Sequence, residues 1–236
     1  MVVIPDRTKY PKTKNPWENK ALFANDVIAK IYNTGHLYSG EKLTAGINAE
    51  EGYFMYDLIK QNKFKHCLEI GMANGMSALY MCQALKENNN GGTLISIDPF
   101  QTSQWKKEGM NNIKRAGLSE YSAVLEEMDY LALPEILANM KANKVPPFDL
   151  IFIDGDHRFD YTLLDFLYSD LLLNVGGVIL VDDIRHRSVK PVINYLETNY
   201  NHFTMLKGPK ASDTMACFIK KKQDERAWNF HMNFRG

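Results

Sequence analysis

The chain has 236 residues, 45% of them hydrophobic and 24% charged, and its 28 basic and 28 acidic side chains give a formal net charge of zero. That length suits one large α/β domain, or one core with an appendage. Balanced charge argues against a dedicated nucleic-acid-binding protein, which needs a basic surplus. No apolar run approaches the roughly 20 residues that span a bilayer, and Pro5 and Asp6 interrupt the apolar start, unlike a signal peptide. We therefore expect a cytoplasmic protein that binds neither nucleic acid nor membrane.

Residues 1–60 differ from the rest of the chain. Three prolines mark an irregular start, and apolar residues at helical spacing then predict helices over 17–32 and 49–62. We interpret residues 1–60 as a helical appendage, either a lid over the ligand site or a subunit contact in a homo-oligomer. Residues 61–236 are expected to form the main domain.

From residue 65 onward, strand-like and helix-like patterns alternate. Apolar runs predict seven strands, over residues 65–71, 93–98, 121–127, 148–154, 178–183, 203–207 and 214–220. Helical spacing predicts helices over residues 76–87, 102–117, 134–143, 161–173 and 189–200. This alternation indicates a doubly wound α/β fold, in which a mostly parallel sheet carries helices on both faces. Ligands of such sheets bind at the carboxyl ends of the strands, so those ends are where chemistry is expected.

The first strand ends in a glycine turn that opens a helix. Glu69, Gly71, Gly75 and Ser77 lie in this turn, and glycine permits both a tight turn and close approach of a ligand. The turn therefore favours binding of an anionic group. The alternative is an ordinary strand–helix connection, which would have the same sequence pattern. The spacing is not Gly-x-Gly-x-x-Gly, which argues against a nicotinamide cofactor.

The second strand ends at Asp98, where an acid can accept both hydroxyls of a ribose. A helix cap is the alternative reading of Asp98 taken alone. The glycine turn before it favours the ribose.

Three acids follow the fourth and fifth strands. Asp154, Asp182 and Asp183 should meet at one sheet edge, where like charges repel unless a cation lies between them. Carboxylate oxygens suit a hard divalent cation, and the alternative is that some of the acids cap helices or loops. Asp156 is expected to point outward or to cap a helix.

His157 stands beside these acids, and imidazole titrates where proton transfer at neutral pH is useful. It is a candidate base or substrate contact, against the alternative of a structural or solvated histidine. His186, three residues past Asp183, is a weaker candidate for the same role.

Three further features are interpreted more simply. Cys67, Cys82 and Cys217 form no Cys-x-x-Cys pair and are predicted to be buried free thiols in a reducing compartment. The basic run over residues 220–222 is interpreted as a solvated strand end. The aromatic tail over residues 228–234 is expected to dock on the body or on a partner subunit.

The sequence resembles a known family at these positions. CLEIGMANGMSAL is similar to the first motif of class I S-adenosylmethionine-dependent methyltransferases, and ISIDPF resembles their ribose-binding motif. The stretch FDLIFIDGDHRFDYTLLDFLYSDLLLNVGGVILVDDI resembles small-molecule O-methyltransferases with an IDGDH motif. Catechol O-methyltransferase and antibiotic- and sugar-tailoring enzymes are relatives of that group.

The resemblance implies roles for matching residues. Glu69, Gly71, Gly75 and Ser77 would belong to the cofactor site at the methionine end of S-adenosylmethionine, and Asp98 would hold the ribose. Met128 or Asp129, after the third strand, would lie near the adenine. Residues 61–236 would form a Rossmann-like S-adenosylmethionine-binding domain with a late antiparallel strand.

The resemblance also implies a metal site formed by Asp154, Asp182 and Asp183. Catechol O-methyltransferase has Asn where this chain has Asp183, and its catalytic Lys is replaced here by His157. The expected activity is methyl transfer to a hydroxyl of a small molecule, with Asp154 and His157 in the catalytic site and magnesium as the divalent cation. The alternatives are a metal-independent methyltransferase with a histidine base, and a cofactor-binding module without catalysis.

Overall fold

The computed structural model of the protein describes residues 2–12, 19–206 and 214–235. Within them, seven strands form one sheet in the order β3-β2-β1-β4-β5-β7-β6. The strands are β1 His66–Ile70, β2 Thr93–Ile97, β3 Ser122–Leu125, β4 Phe148–Ile153, β5 Leu173–Val181, β6 Phe203–Leu206 and β7 Ala216–Lys220. The first five strands are parallel to one another, and β7 runs antiparallel to both β5 and β6. The predicted doubly wound, mostly parallel sheet is confirmed.

The helices lie between the strands in the chain, as the alternation predicts. They are α1 Asp26–Thr34, α2 Ala49–Asn62, α3 Met76–Asn88, α4 Glu108–Arg115, α5 Asp129–Lys141, α6 Phe159–Leu172 and α7 Val189–Asn199. None of the helices in the described part of the chain has the length and apolar character needed to cross a membrane.

Two apolar clusters cover opposite faces of the sheet. One contains Leu150 and Phe152 of β4 together with buried residues of α1, α2 and α3. The other contains Ile151 and Ile153 of β4 with buried residues of α5, α6 and α7. Since successive residues of a strand point to opposite faces, a strand that supplies both clusters has a continuous apolar sequence.

Strand register aligns the residues that follow the central strands. Ile70 of β1 pairs with Ile97 of β2 and with Ile153 of β4, which pairs in turn with Val181 of β5. The next residue after each strand therefore lies at the same edge of the sheet. Those residues are Gly71, Asp98, Asp154 and Asp182.

Two element boundaries in the first half of the chain differ from the sequence prediction. Helix α1 begins at Asp26 because the Asn25 side chain accepts a hydrogen bond from the Ile28 amide; the start predicted at residue 17 lies outside the described residues. Helix α4 begins at Glu108, after a turn in which Lys106 and Lys107 have positive φ.

Two further boundaries differ later in the chain. Helix α5 begins at Asp129 with Pro134 inside it, because burial of Leu133 and Ile136 outweighs the lost backbone hydrogen bond. Strand β5 begins at Leu173, before the start predicted at residue 178, and it includes Gly176 and Gly177.

The N-terminal segment shares a core with the sheet. Leu58 and Ile59 of α2 are buried in the same cluster as Leu79 and Met81 of α3. Gly52 makes this close packing possible, since a Cβ at that position would meet the Tyr80 ring. Its predicted action as a lid or subunit contact stays a prediction.

Lys220 is buried, so the prediction of a solvated strand end was wrong for this residue. Its side chain is 3% exposed, and its Nζ lies 2.9 Å from Asp170 Oδ1. It also donates to the carbonyl oxygens of Asp170 and Leu173. The buried His202 ring contacts the same carboxylate at 2.8 Å. The partner carboxylate comes from α6, which the local basic pattern does not reveal.

The C-terminal tail lies along α7. Phe234 packs edge to face on Tyr195, with 5.1 Å between ring centroids, and Asn199 forms hydrogen bonds with the backbone of Met232. Trp228, by contrast, is 97% exposed. The tail thus docks on the body through Phe234 and leaves Trp228 in solvent. The three cysteines are buried free thiols, as predicted.

Candidate active site

The turn after β1 requires its two glycines. Gly71 has φ +88°, and a Cβ there would lie 2.6 Å from the carbonyl carbon of Asp154 and 2.9 Å from Gly155 Cα. Gly75 has φ +76°, and its Cβ would lie 2.9 Å from Gly109 Cα. Side chains rarely adopt such φ values, and no flexible atom can move aside. The turn therefore brings its backbone close to the ends of neighbouring elements.

Asp98 holds this turn in place from the end of β2. Its Oδ2 accepts hydrogen bonds from the amides of Met72 at 3.2 Å and Ala73 at 2.7 Å. Gln101 Nε2 donates to the same oxygen at 3.0 Å, and the Phe100 amide donates to Oδ1 at 2.8 Å. Asp98 is only 3% exposed. It holds the turn in place and also forms part of the wall of the neighbouring cavity.

That cavity has a volume of about 340 Å³ and lies at the carboxyl ends of the parallel strands. Among the predicted cofactor residues, its lining includes Gly71, Asp98, Met128 and Asp129. Three aromatic side chains that the sequence did not single out also line it: Phe100, Trp105 and Tyr161. Asp154 contributes to the same wall. The predicted ribose and adenine residues are therefore together in one cavity.

Glu69 and Ser77 lie beneath the turn instead of in the cavity lining. Glu69 is fully buried, accepts a hydrogen bond from Ser77 Oγ, and accepts another from Ser96 Oγ at 2.7 Å. Desolvation raises the pKa of the Glu69 carboxyl to about 7, against the opposing effect of the two hydroxyl donors. These residues support the turn from below.

The three acids predicted to hold a metal act on one another. Burial, then the negative charges of Asp182 and Asp183, raise the pKa of Asp154 well above its ordinary range. Burial, then the charge of Glu51, raise the pKa of Asp182 to about 7. Asp183 differs, because a contact with His157 lowers its pKa. An excess of carboxylate oxygens in a desolvated place fits a divalent cation.

Glu51 is a further acid near this edge that the sequence did not indicate. It lies in the first turn of α2, where its carboxylate accepts from the Asn48 amide in a capping box and from the Thr214 hydroxyl. Its charge raises the pKa of both Asp154 and Asp182. The capping-box pattern explains Glu51 locally, and only the packing of α2 brings it to this edge.

His157 lies between two of the predicted ligands. Its Nε2 is 2.7 Å from Asp183 Oδ2 and 3.7 Å from Asp154 Oδ1. The contact with Asp183 raises the pKa of the ring, against the opposing effect of burial. His186 joins the group, with its Nε2 3.8 Å from Asp183 Oδ1. Asp156 instead lies in the turn before α6, where it accepts hydrogen bonds from the Arg158 amide and side chain.

Comparison with known proteins shows which family this part of the chain resembles. A protein-family profile described as a methyltransferase domain matches residues 68–184, which contain the glycine turn, Asp98 and the acidic edge. The chain belongs to the class I S-adenosylmethionine-dependent methyltransferases. This resemblance was inferred from the same motifs in the sequence, and it is confirmed.

Two curated relatives are 30% identical to this chain over the matched residues. They are catechol O-methyltransferase of Niastella koreensis, over 139 residues that cover 58% of this chain and 57% of the relative, and caffeoyl-CoA O-methyltransferase 1 of Arabidopsis thaliana, over 140 residues that cover 58% and 49%. The chain spans about half the length of the curated relatives it matches.

Two solved structures share the methyltransferase fold. The O-methyltransferase TomG from Streptomyces achromogenes, in complex with SAM, has a TM-score of 0.65 at 17% identity and covers 84% of this chain and 91% of its own. The O-methyltransferase from Bacillus cereus, in complex with SAH, has a TM-score of 0.63 at 20% identity and covers 90% and 93%.

Proposed function

We propose that this protein transfers the methyl group of S-adenosylmethionine to a hydroxyl oxygen of a small molecule. The observation that carries the proposal is the position of Asp154. It lines the cavity that also contains Asp98 and the glycine turn, and it belongs to the acidic edge with Asp182 and Asp183. A cofactor site and an acceptor site therefore share a wall, as group transfer between two bound molecules requires.

The cofactor is assigned to the cavity by its wall residues. Gly71 would let the backbone approach the methionine end, Gly75 would keep the turn packed against Gly109, and the Asp98 carboxylate would meet a ribose. Met128 and Asp129 would contact the adenine. Glu69 and Ser77 would act indirectly, by fixing the turn from beneath.

Asp154, Asp182 and Asp183 would hold a divalent cation, for which magnesium is the expected choice. A bound cation lowers the pKa of a coordinated hydroxyl and fixes its orientation. The residues fit, because burial and neighbouring negative charges make the ionised forms of Asp154 and Asp182 unfavourable there without a positive partner.

His157 is the proposed proton acceptor. Its Nε2 faces Asp154 and Asp183, so it lies at the acceptor end of the shared wall. Contact with Asp183 orients the ring and stabilises its protonated form. The names of the curated relatives, a catechol and a caffeoyl-CoA O-methyltransferase, support a phenolic hydroxyl as the first acceptor to test.

The decisive experiment measures formation of S-adenosylhomocysteine with a panel of catechols and other hydroxylated acceptors, with magnesium and with a chelator. We expect turnover with magnesium, loss of turnover in chelator, and a loss of at least 100-fold in Asp154→Asn with cofactor binding retained. Full activity in chelator would instead support the metal-independent reaction with a histidine base. Tight cofactor binding without turnover across the panel would support a non-catalytic module.

Two further proposals concern residues 1–60 and the assembly state of the protein. Glu51 connects α2 to the acidic edge, which supports a contribution of this segment to the acceptor site. A homo-oligomer would give the exposed Trp228 a partner surface. Light scattering of the full chain and of Trp228→Ala tests the assembly, and an unchanged monomer in both would reject it.

A further inference from the structure

Two histidines and one acid converge at the acceptor end of the site. One ligand atom each from His157, Asp183 and His186 lies within 4.8 Å of the other two. His157 Nε2 is 2.7 Å from one oxygen of the Asp183 carboxylate, and His186 Nε2 is 3.8 Å from the other. The two imidazole rings are 4.9 Å apart between centroids. Residues from the ends of β4 and β5 thus surround one small volume.

The loops present these groups in a defined arrangement. The His186 amide donates to the Asp183 carbonyl oxygen at 2.9 Å, and the Ser188 hydroxyl donates to the His157 carbonyl oxygen. Asp183 itself has φ +54°. The Ser188 contact ties the loop after β5 to the loop after β4, and the His186 contact fixes the turn after β5, so the three side chains are held together before any ligand binds.

His157 Nε2 is enclosed by protein but forms no hydrogen bond. It contacts the Asp183 carboxylate at 2.7 Å without the alignment that a hydrogen bond requires. A buried nitrogen in this position is poorly satisfied by the protein alone. A cation bound to both groups would satisfy the nitrogen and the carboxylate together.

The other group of three candidate ligands in the described residues also has an enclosed ring nitrogen without a hydrogen bond, His202 Nδ1, but it differs in its charge partners. Asp170, His202 and Asp224 form it, but the Lys220 ammonium already lies 2.9 Å from Asp170 Oδ1. That carboxylate has its positive partner. The group at the active site has no lysine or arginine among its ion pairs in the described chain.

We propose that His157, Asp183 and His186 form a binding site for a divalent transition-metal ion, distinct in its donor atoms from the all-carboxylate set. Two imidazole nitrogens and one carboxylate suit Zn²⁺, Co²⁺ or Ni²⁺, whereas magnesium prefers oxygen ligands. The three protein donors leave further coordination positions for water or an acceptor oxygen. The proposal deepens the proposed function and rests on it for the use of the ion in methyl transfer.

The two donor sets share Asp183, and this has a chemical consequence. His157 Nε2 cannot bind a metal ion and accept a proton from the acceptor at the same time. A transition-metal ion held by both histidines therefore removes the proposed base. We expect stoichiometric Zn²⁺ to inhibit turnover that magnesium supports.

The test measures metal binding without turnover. The metal-free full-length protein is titrated with Co²⁺ and, separately, with Mg²⁺, by calorimetry and by the visible absorption of the cobalt ion. We expect one Co²⁺ per chain, bound at least tenfold more tightly than Mg²⁺. His186→Gln should weaken Co²⁺ by tenfold or more and leave Mg²⁺ within twofold.

His186 is 53% exposed, so its substitution should not unfold the chain, and a thermal melt verifies this. His157→Gln should repeat the loss of Co²⁺ affinity, and His231→Gln, in the exposed tail, is the matched control. Co²⁺ affinity that is unchanged in both site variants would overturn the proposal. Equal loss in His231→Gln would overturn it as well.

The two proposals fail separately. If Co²⁺ binding depends on the histidines and no acceptor is methylated, the metal site stands and the proposed function falls. If magnesium supports turnover and the histidine variants bind Co²⁺ like the wild type, the function stands and the transition-metal site falls.

Discussion

Replacement of Gly71 by alanine tests whether the glycine turn is required by its surroundings or only by its backbone angle. Gly71 and Gly176 have the same φ, +88°, but a Cβ at Gly176 meets nothing within 4 Å. Gly176→Ala therefore measures the cost of the angle alone, about 1–2 kcal/mol for an L-residue in left-handed backbone. The pair of variants isolates the effect of close packing.

The additional cost at Gly71 follows from the atoms its Cβ would meet. The Asp154 carbonyl carbon would be 2.6 Å away and the carbonyl oxygen closer still, where ordinary contact begins near 3.4 Å. Neither side can retreat freely, because the Gly71 amide donates to Ile97 at 2.9 Å and the Asp154 amide donates to Ile70 at 2.8 Å. We expect Gly71→Ala to lose about 4 kcal/mol in all, at the upper end for single substitutions.

Urea denaturation of the two variants, followed by circular dichroism, gives the difference in unfolding free energy. Calorimetric titration with S-adenosylhomocysteine gives cofactor affinity, which should fall at least 100-fold in Gly71→Ala and stay within twofold in Gly176→Ala. Equal destabilisation of the two variants would refute this explanation, because the steric clash with Asp154 and Gly155 would then add nothing to the loss in unfolding free energy.

Three further predictions concern a buried ion pair, a buried acid and a helix cap. Asp170→Asn should lower the free energy of unfolding in urea by about 3–5 kcal/mol, because Lys220 stays buried without its partner. The control Lys222→Ala, at an exposed ion pair, should lower it by less than about 0.5 kcal/mol. Similar losses in the two variants would contradict this reasoning. Desolvation raises the Glu69 pKa to about 7 from 4.5, so Glu69 by itself should add up to about 3 kcal/mol of stability as pH falls from 7 to 4.5. The pH-dependent gain of Glu69→Gln should be smaller than that of the wild type by this amount, and parallel pH profiles of the two proteins would exclude it. Asn25→Ala should cost about 1 kcal/mol in thermal unfolding through loss of the α1 cap, and an unchanged melting temperature would contradict the assigned start of α1.

Local patterns were enough to predict the fold and the positions of most site residues. Strands buried on both faces have continuous apolar sequences, so their ends can be read without a structure. Residues that follow parallel strands meet at one edge, which is why Asp98, Asp154 and Asp182 could be placed together in advance. Element boundaries were harder to predict. Pro134, for example, lies inside α5 because its neighbours Leu133 and Ile136 are buried, and their burial depends on tertiary packing.

The sequence by itself determined the order of strands and helices, the glycine turn and the acids at the strand ends. The tertiary structure alone decided which distant side chains meet. Glu51 reaches the acidic edge through the packing of α2, Lys220 is buried against α6, and His186 joins His157 across two loops. The spacing of apolar residues that indicates a strand or a helix is a property of residues close together in the sequence. The partners of a side chain on other elements depend instead on the three-dimensional packing of the whole chain.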